Sequence, residues 1–262
     1  MEWTDQAIVL SARAHGETSA IAEVLTREHG RHKGLVRGGR GKRMAGVLQT
    51  GNEVTATWRA RLSEHLGSFT VELADARAAR LMDDPLRLAG LTSLAATASV
   101  AMPEREPHPS VFEAALAVLD TMEAATPNSL AWIAGLVRWE LGLLRELGFA
   151  LDLSACAATG QVDDLTYVSP RSGRAVNTEA AAPYRDKLLP LPSFLQPGHG
   201  AMPDQDHPER VLDDIEDGLH LTGHFLDRQI FHASNRPAPA ARSRFLEKIS
   251  RFRETYTGNH KI

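Results

Sequence analysis

The hydrophobic period of this chain changes once, near Ala76, and that change divides what it can fold into. Before it, apolar residues recur at every second position in short runs; after it, they recur at intervals of three and four. Residues 6–14, 19–26, 32–37, 52–59 and 67–73 read as strands. Val54, Ala56 and Trp58 share one face of the fourth, and Phe69, Val71 and Leu73 share one face of the fifth. Gly30 sits in a turn where positive φ suits a residue without Cβ. Five short strands joined by glycine-rich turns predict a small five-stranded barrel of the OB-fold kind.

Residues 85–102 and 110–124 are Ala/Leu-rich helical segments separated by PEREPHP. The strongest helix spans 128–147, with Trp132, Ile133, Leu136, Trp139, Leu143, Leu144 and Leu147 along one face. Asn128 or Ser129, after Pro127, would cap it, and Gly148 would stop it. Residues 151–176 are irregular, with a short strand at 165–168 and turns at Gly160 and Ser172-Gly173. An amphipathic helix at 208–231 and a short one at 243–252 complete the chain. The fold class expected is α+β: an OB-fold domain over 1–80, an α-helical domain over 81–250 with an irregular segment at 151–177, and a tail over 251–262.

Charge is distributed unevenly over these parts. Residues 1–80 hold 12 Lys and Arg against 9 Asp and Glu, whereas the remainder holds 17 against 24, in a chain of net charge −4. Much of the positive surplus lies in REHGRHKGLVRGGRGKR, residues 27–43, where seven Lys and Arg face the single acid Glu28. The bland reading of such a run is a solvated loop. Its density, its glycines at 34, 38, 39 and 41 and its strand-flanked position favour phosphate contact, with glycine backbone N–H groups free to approach the anion. Arg31, Lys33, Arg37, Arg40, Lys42 and Arg43 are the candidates, joined by Arg59 and Arg61 on the outward parity of the next strand. Trp58, on the inward parity, is read as core. The segment is no P-loop: Arg43 follows Gly41-Lys42 where Ser or Thr belongs, and Val36 occupies the first glycine position.

Other chemistries find little support. The single cysteine, Cys156, excludes an intramolecular disulfide and an all-cysteine metal site, which fits a reducing compartment. The N-terminus lacks a basic region followed by an apolar core, and no run approaches 18 apolar residues, so a cytoplasmic protein is expected. His220 and His224 stand four apart, but HLTGH lacks the glutamate of HExxH, and surface or capping histidines are the preferred reading. No G-x-S-x-G motif or other catalytic constellation occurs, and the run Asp213–Asp217 offers only a weak case for a metal-dependent hydrolase. The chain is read as a non-enzyme without a cofactor.

Several stretches in order resemble the RecO family of recombination mediators: Gly16-Glu17, LTREHGRHKGLVRGGR (25–40), LQTGNEV (48–54), WRAR…LG (58–67), ELGFALDLSACAATG (146–160) and YVSPRSGRAV (167–176). The resemblance implies an N-terminal OB-fold followed by a helical domain. It also implies binding of single- and double-stranded DNA, annealing of complementary strands, and help in loading recombinase onto strands coated by single-strand-binding protein. The partners implied are RecR, the acidic C-terminal tail of the coating protein and, in some lineages, RecF. Some family members carry a four-cysteine zinc site in the irregular segment; here the first pair reads Cys156-Ala157-Ala158-Thr159, and Val176-Asn177-Thr178-Glu179 stands near the second. One thiolate cannot build that site, so a degenerate, zinc-free finger is expected, held by packing of Leu151, Leu153, Leu165 and Tyr167.

Two readings of the basic segment therefore stand side by side. In one it neutralises DNA phosphates, and six to eight contacts would give a log–log salt slope of roughly −4 to −7. In the other the protein is a docking scaffold whose basic loop captures an acidic partner.

Overall fold

The computed structural model describes residues 1–126, 129–196 and 208–259, in two compact units. The first comprises Met1–Glu123 with Pro239–Phe245, the second Ala124–Ala238 with Leu246–Ile262.

The first unit is built on β1 (Glu2–His15), β2 (Ser19–Thr26), β3 (Arg31–Val36), β4 (Glu53–Arg59) and β5 (Ser68–Asp75). Their hydrogen-bonding order, β1-β2-β3-β5-β4, returns to β1, so the sheet closes on itself. Closure depends on the length of β1. Its first half pairs with β4, from Glu2↔Arg59 to Ile8↔Glu53, and its second half with β2, from Ala7↔Thr26 to His15↔Ser19. A bulge between Val9 and Ser11 bends the strand between these two partners. The sequence reading starts this strand at Gln6; in the fold it starts at Glu2, and Trp3 turns inward and packs against the barrel core. That core includes Val9, Ala22, Val24, Val54, Trp58 and Phe69. Gly34 faces it as well, and a Cβ there would collide with the Phe69 ring.

One end of the interior is aromatic. Trp3 stacks on His29 at 4.2 Å and on Trp58 at 5.9 Å, while His32 meets Trp58 edge-on at 4.8 Å. Burial pushes the His32 imidazole below its ordinary value, and nearby Arg105 adds to the effect. Above about pH 6.5 the ring is neutral in both folded and unfolded chains and contributes no pH dependence. Below that, unfolding takes up a proton that the folded state refuses, so stability falls with pH. Urea unfolding at about pH 7.5 and about pH 5.5 should show a larger loss for the wild type than for His32→Gln. Equal losses would contradict this account.

Helices α1 (Lys42–Val47), α2 (Arg77–Leu81), α3 (Pro85–Ala101) and α4 (Pro109–Ala124) follow in this region. In α3 the Asp84 carboxylate accepts from the N–H groups of Leu86 and Arg87, and Pro85 fills the first turn. The end of α3 lies on the outward face of β2 and β3: Ser99 donates to Glu23 at 2.7 Å, and Arg31 Nε donates to the Met102 carbonyl at 2.8 Å. Arg77 is buried among Glu53, Asp120 and Glu123, which neutralise it. Within α3, the hydroxyls of Ser93 and Thr97 are buried without a hydrogen-bond partner among the described residues. Replacing such a hydroxyl by an isosteric methyl removes a desolvated, unpaired group. Thr97→Val is therefore expected to stabilise the fold by about 1 kcal/mol in urea unfolding; a loss would show that the hydroxyl is satisfied.

The second unit contains α5 (Ala131–Glu146), a three-stranded sheet of β6 (Leu165–Val168), β7 (Ala175–Asn177) and β8 (Leu189–Pro190), α6 (Thr178–Ala181) and α7 (Pro208–Leu226). α7 runs on into a π-turn over Asp227–Phe231. α8 (Ala240–Asn259) is twice the length expected and enters the stretch assigned to a tail; residues 260–262 of that tail lie outside the described residues. α5 begins after Leu130 without a side-chain cap, so Ser129 does not cap it; Pro127 and Asn128 lie outside the described residues. Gly148 ends it with φ +87°. α5 packs on α7, where Gly218 lets Val137 and Phe194 approach closely.

In the irregular segment Leu165 is buried, and Leu151, Leu153 and Tyr167 are half-buried. Hydrogen bonds join its two halves. The Asn177 N–H donates to Cys156 Sγ at 3.4 Å, and Asn177 Nδ2 donates to Gln161 at 2.7 Å. Burial pushes the Cys156 thiol up, but hydrogen bonds from the Thr159 hydroxyl and from the Asn177, Thr159 and Ala158 backbone outweigh it and leave its pKa at about 7. No group of three or more His, Cys, Asp or Glu among the described residues could hold a metal ion. No described helix is long and apolar enough to cross a membrane.

Candidate functional site

The basic segment 27–43 folds as an ordered unit. It runs from the end of β2 through β3 into a turn at 37–41 and then into α1. Met44, Val47 and Leu48, three and four apart, lay this short helix against the barrel core. That apolar spacing was the available signal for a helix where the sequence reading has a loop. Gly38, Gly39 and Gly41 shape the turn. Gly38 has φ +67°, a Cβ on Gly39 would strike Ala20, and the N–H groups of Gly39 and Gly41 donate to Val36 and Gly38 carbonyls.

The candidate cations differ in what already holds them. Arg31 is buried at 4% exposure, where it pairs with Glu23 and donates to the Met102 carbonyl. A guanidinium so enclosed cannot reach a phosphate, and Arg31 leaves the set of contact residues. Lys33 is partly drawn in, with Nζ 3.7 Å from Glu23 and 3.9 Å from Glu104. Arg40 is exposed but acts as a latch: its guanidinium donates to the carbonyls of Gly16 and Glu17, at 3.0 and 2.9 Å, and its N–H donates to Thr18. The turn after β3 is thereby tied to the turn between β1 and β2. Arg59 is exposed and pairs with exposed Glu2 at 2.7 Å, a contact of little energetic weight that a phosphate could displace.

Arg37, Lys42, Arg43 and Arg61 are exposed and make no ion pair or side-chain hydrogen bond among the described residues. Arg13, on β1, shares this state. By contrast Arg27, Arg77 and Arg80 are paired with carboxylates. Positive charge in the first 80 residues is thus open on these side chains and neutralised on others. Arg61 lies past the end of β4, and register joins only Arg59 to the turn: Leu35 pairs with Ser68, and Ser68 with Arg59. That places Arg59 two strands, about 10 Å, from Leu35, which directs its side chain to the same outer face.

Other candidates are committed to structure. Trp58 is core, as its parity predicts, with Nε1 donating to the Leu66 carbonyl. His224 Nε2 lies 3.1 Å from the Pro170 carbonyl. Asp213 and Glu216 pair with Arg253, and Asp214 accepts from Ser193. Burial, with Asp213 and Asp214 nearby, raises the Asp217 carboxyl above its usual range. Arg138 lies over the Phe194 ring at 5.5 Å and donates to its carbonyl.

The order of these features matches a known pair of protein families. Residues 1–77 match the family described as Recombination protein O N terminal, and residues 82–236 match Recombination protein O C terminal. The chain belongs to the RecO family. Similarity extends over nearly the whole length. DNA repair protein RecO of Rhodospirillum centenum is 52% identical over 259 residues, covering 98% of this chain and 97% of that protein. The RecO protein of Rhodospirillum rubrum is 48% identical over 253 residues, covering 96% and 98%. That of Phenylobacterium zucineum is 48% identical over 250 residues, covering 95% and 98%. RecO family membership gives the exposed cations a context that geometry alone leaves open.

Proposed function

We propose that the chain is a non-enzymatic mediator of recombinational DNA repair that binds single- and double-stranded DNA through the outer face of its barrel, read as an OB-fold. The observation that carries this reading is the set of exposed cations Arg37, Lys42, Arg43 and Arg61, unpaired among the described residues while other cations of the same domain are neutralised. Unpaired charge on a fixed scaffold attracts phosphate without base specificity, as a mediator acting on any sequence requires. Bringing two strands to one positive face lowers their mutual repulsion, so complementary strands pair without ATP. The protein then helps load recombinase onto strands coated by single-strand-binding protein. RecR, the coating protein's acidic C-terminal tail and RecF are the partners in this scheme, and a cytoplasmic, nucleoid-associated place is its setting.

The division of labour proposed assigns DNA to residues 1–80 and partner docking to the helical residues 81–250. The segment 151–177 keeps its shape through the Cys156–Asn177–Gln161 hydrogen bonds, without zinc. Cutting the chain at residue 80 would strip Ser99 and Met102 from Glu23 and Arg31, so the reading is best tested on the full chain. Annealing of complementary oligonucleotides, bare and coated, should be accelerated by the wild type and much less by Arg37→Gln/Lys42→Gln/Arg43→Gln. Annealing at the wild-type rate by that variant, with loss only of binding to an acidic peptide, would favour the docking-scaffold reading.

A further inference from the structure

The basic turn is flanked on the outer face of the barrel by cations on both sides, and only one side is visible in the density of charge along the sequence. On one side, Leu35 leads through Ser68 to Arg59. On the other, Leu35 pairs with Ile21, and Ile21 pairs with Arg13. Antiparallel partners project to the same face, and Ala20, Ala22 and Val36 hold the opposite, inward face. Arg13 therefore stands on the outer face two strands, about 10 Å, from Leu35, at the same remove as Arg59 on the far side. Arg37 lies two residues beyond Leu35, so the backbones of Arg13 and Arg37 are about 12 Å apart. Two extended arginine side chains can converge across that span, and their fields overlap within about one Debye length at 0.1 M salt.

We infer that Arg13 is a DNA-phosphate contact, and that the contact surface crosses β1, β2 and β3 rather than residing in the basic segment alone. This rests on the DNA-binding reading above. Arg13 is exposed, as are Ala12, Ala14 and His15 around it, and it makes no ion pair among the described residues. The outward positions beside it are Ser11 and His15 on β1, Ser19 and Ile21 on β2, and Lys33 and Leu35 on β3. Next along the same outward row, opposite Ser11, comes the carboxylate Glu23, buried in its pair with Arg31. Glu17 is the exposed acid of the adjoining turn, and Arg40 pins that turn by its carbonyls. The latch thus fixes the end of the β1–β2 hairpin beside the turn that carries Arg37.

The test is fluorescence titration of labelled single-stranded DNA across a salt series with the full-length wild type, Arg13→Gln, Arg13→Lys and the Arg37→Gln/Lys42→Gln/Arg43→Gln variant. Each phosphate contact on a single strand contributes about −0.7 to the log–log slope, which extrapolates to roughly fivefold in affinity at 0.1 M salt. Arg13→Gln should lose about that factor and flatten the slope by about 0.7, whereas Arg13→Lys should keep the wild-type slope. An unchanged Arg13→Gln beside a weakened triple variant would overturn the role of Arg13 and leave the DNA-binding reading standing. Unchanged binding by both would overturn the two together. A weakened Arg13→Lys with unaltered unfolding would show that charge is not what Arg13 supplies.

Discussion

Glu23→Ala is expected to lower folding stability by about 3–5 kcal/mol. Glu23 and Arg31 both face outward by strand parity, yet each is only 4% exposed, because Ser99 and the Met102 carbonyl close over them. Removing the carboxylate leaves a buried guanidinium whose remaining acceptor is one carbonyl, along with Ser99 deprived of its acceptor. Burying an unpaired charge costs more than the pair gains by forming, so the single change is far worse than replacing both partners. A Glu23→Leu/Arg31→Met double variant should recover most of the loss. Urea unfolding of the three proteins checks this directly. A Glu23→Ala loss below about 1 kcal/mol would mean that the pair is hydrated after all. The same argument predicts that Arg31 variants reduce DNA binding only in proportion to the protein they unfold.

The Arg37→Gln/Lys42→Gln/Arg43→Gln variant should lose about two orders of magnitude in affinity for single-stranded DNA at 0.1 M salt. Three single-strand contacts at about −0.7 each account for both that factor and a slope flatter by about 2. Stability should be untouched, since none of the three side chains has a partner to lose among the described residues. Glutamine keeps the helix propensity of Lys42 and Arg43 in α1. Equal losses on every oligonucleotide sequence are expected, because phosphate contacts carry no base information. A loss confined to particular sequences would point to base readout instead.

Much of this architecture was legible because burial imposes a period. β2 was read with its observed bounds, Trp58 was placed in the core by parity, and Gly30 and Gly148 adopt the positive φ their turns required. What escaped the sequence reading depends on partners distant in the chain. Arg31 looks like any other member of a basic run until residues about 70 positions later cover it. α1 was hidden because its cations outweigh Met44, Val47 and Leu48, the three residues that dock it. The first residues of β1 are masked by the polar residues around Trp3, although their pairing with β4 is what closes the sheet. Arg13 stands alone in its strand, and only the register through Ile21 and Leu35 brings it to the basic turn. The glycines of the turn were visible, but their purpose was not. Gly39 is there to pass Ala20, and its N–H is already occupied by Val36.

The salt dependence of single-stranded DNA binding tests the central claim most directly. With Arg31 withdrawn and Lys33 partly engaged, five to seven cations remain for phosphate, and the full-length wild type should show a log–log slope of about −3.5 to −5. The triple variant should fall to about −1.5 to −3 in the same titration. A wild-type slope near zero, or a slope that the triple variant leaves unchanged, would contradict DNA binding through this face of the barrel.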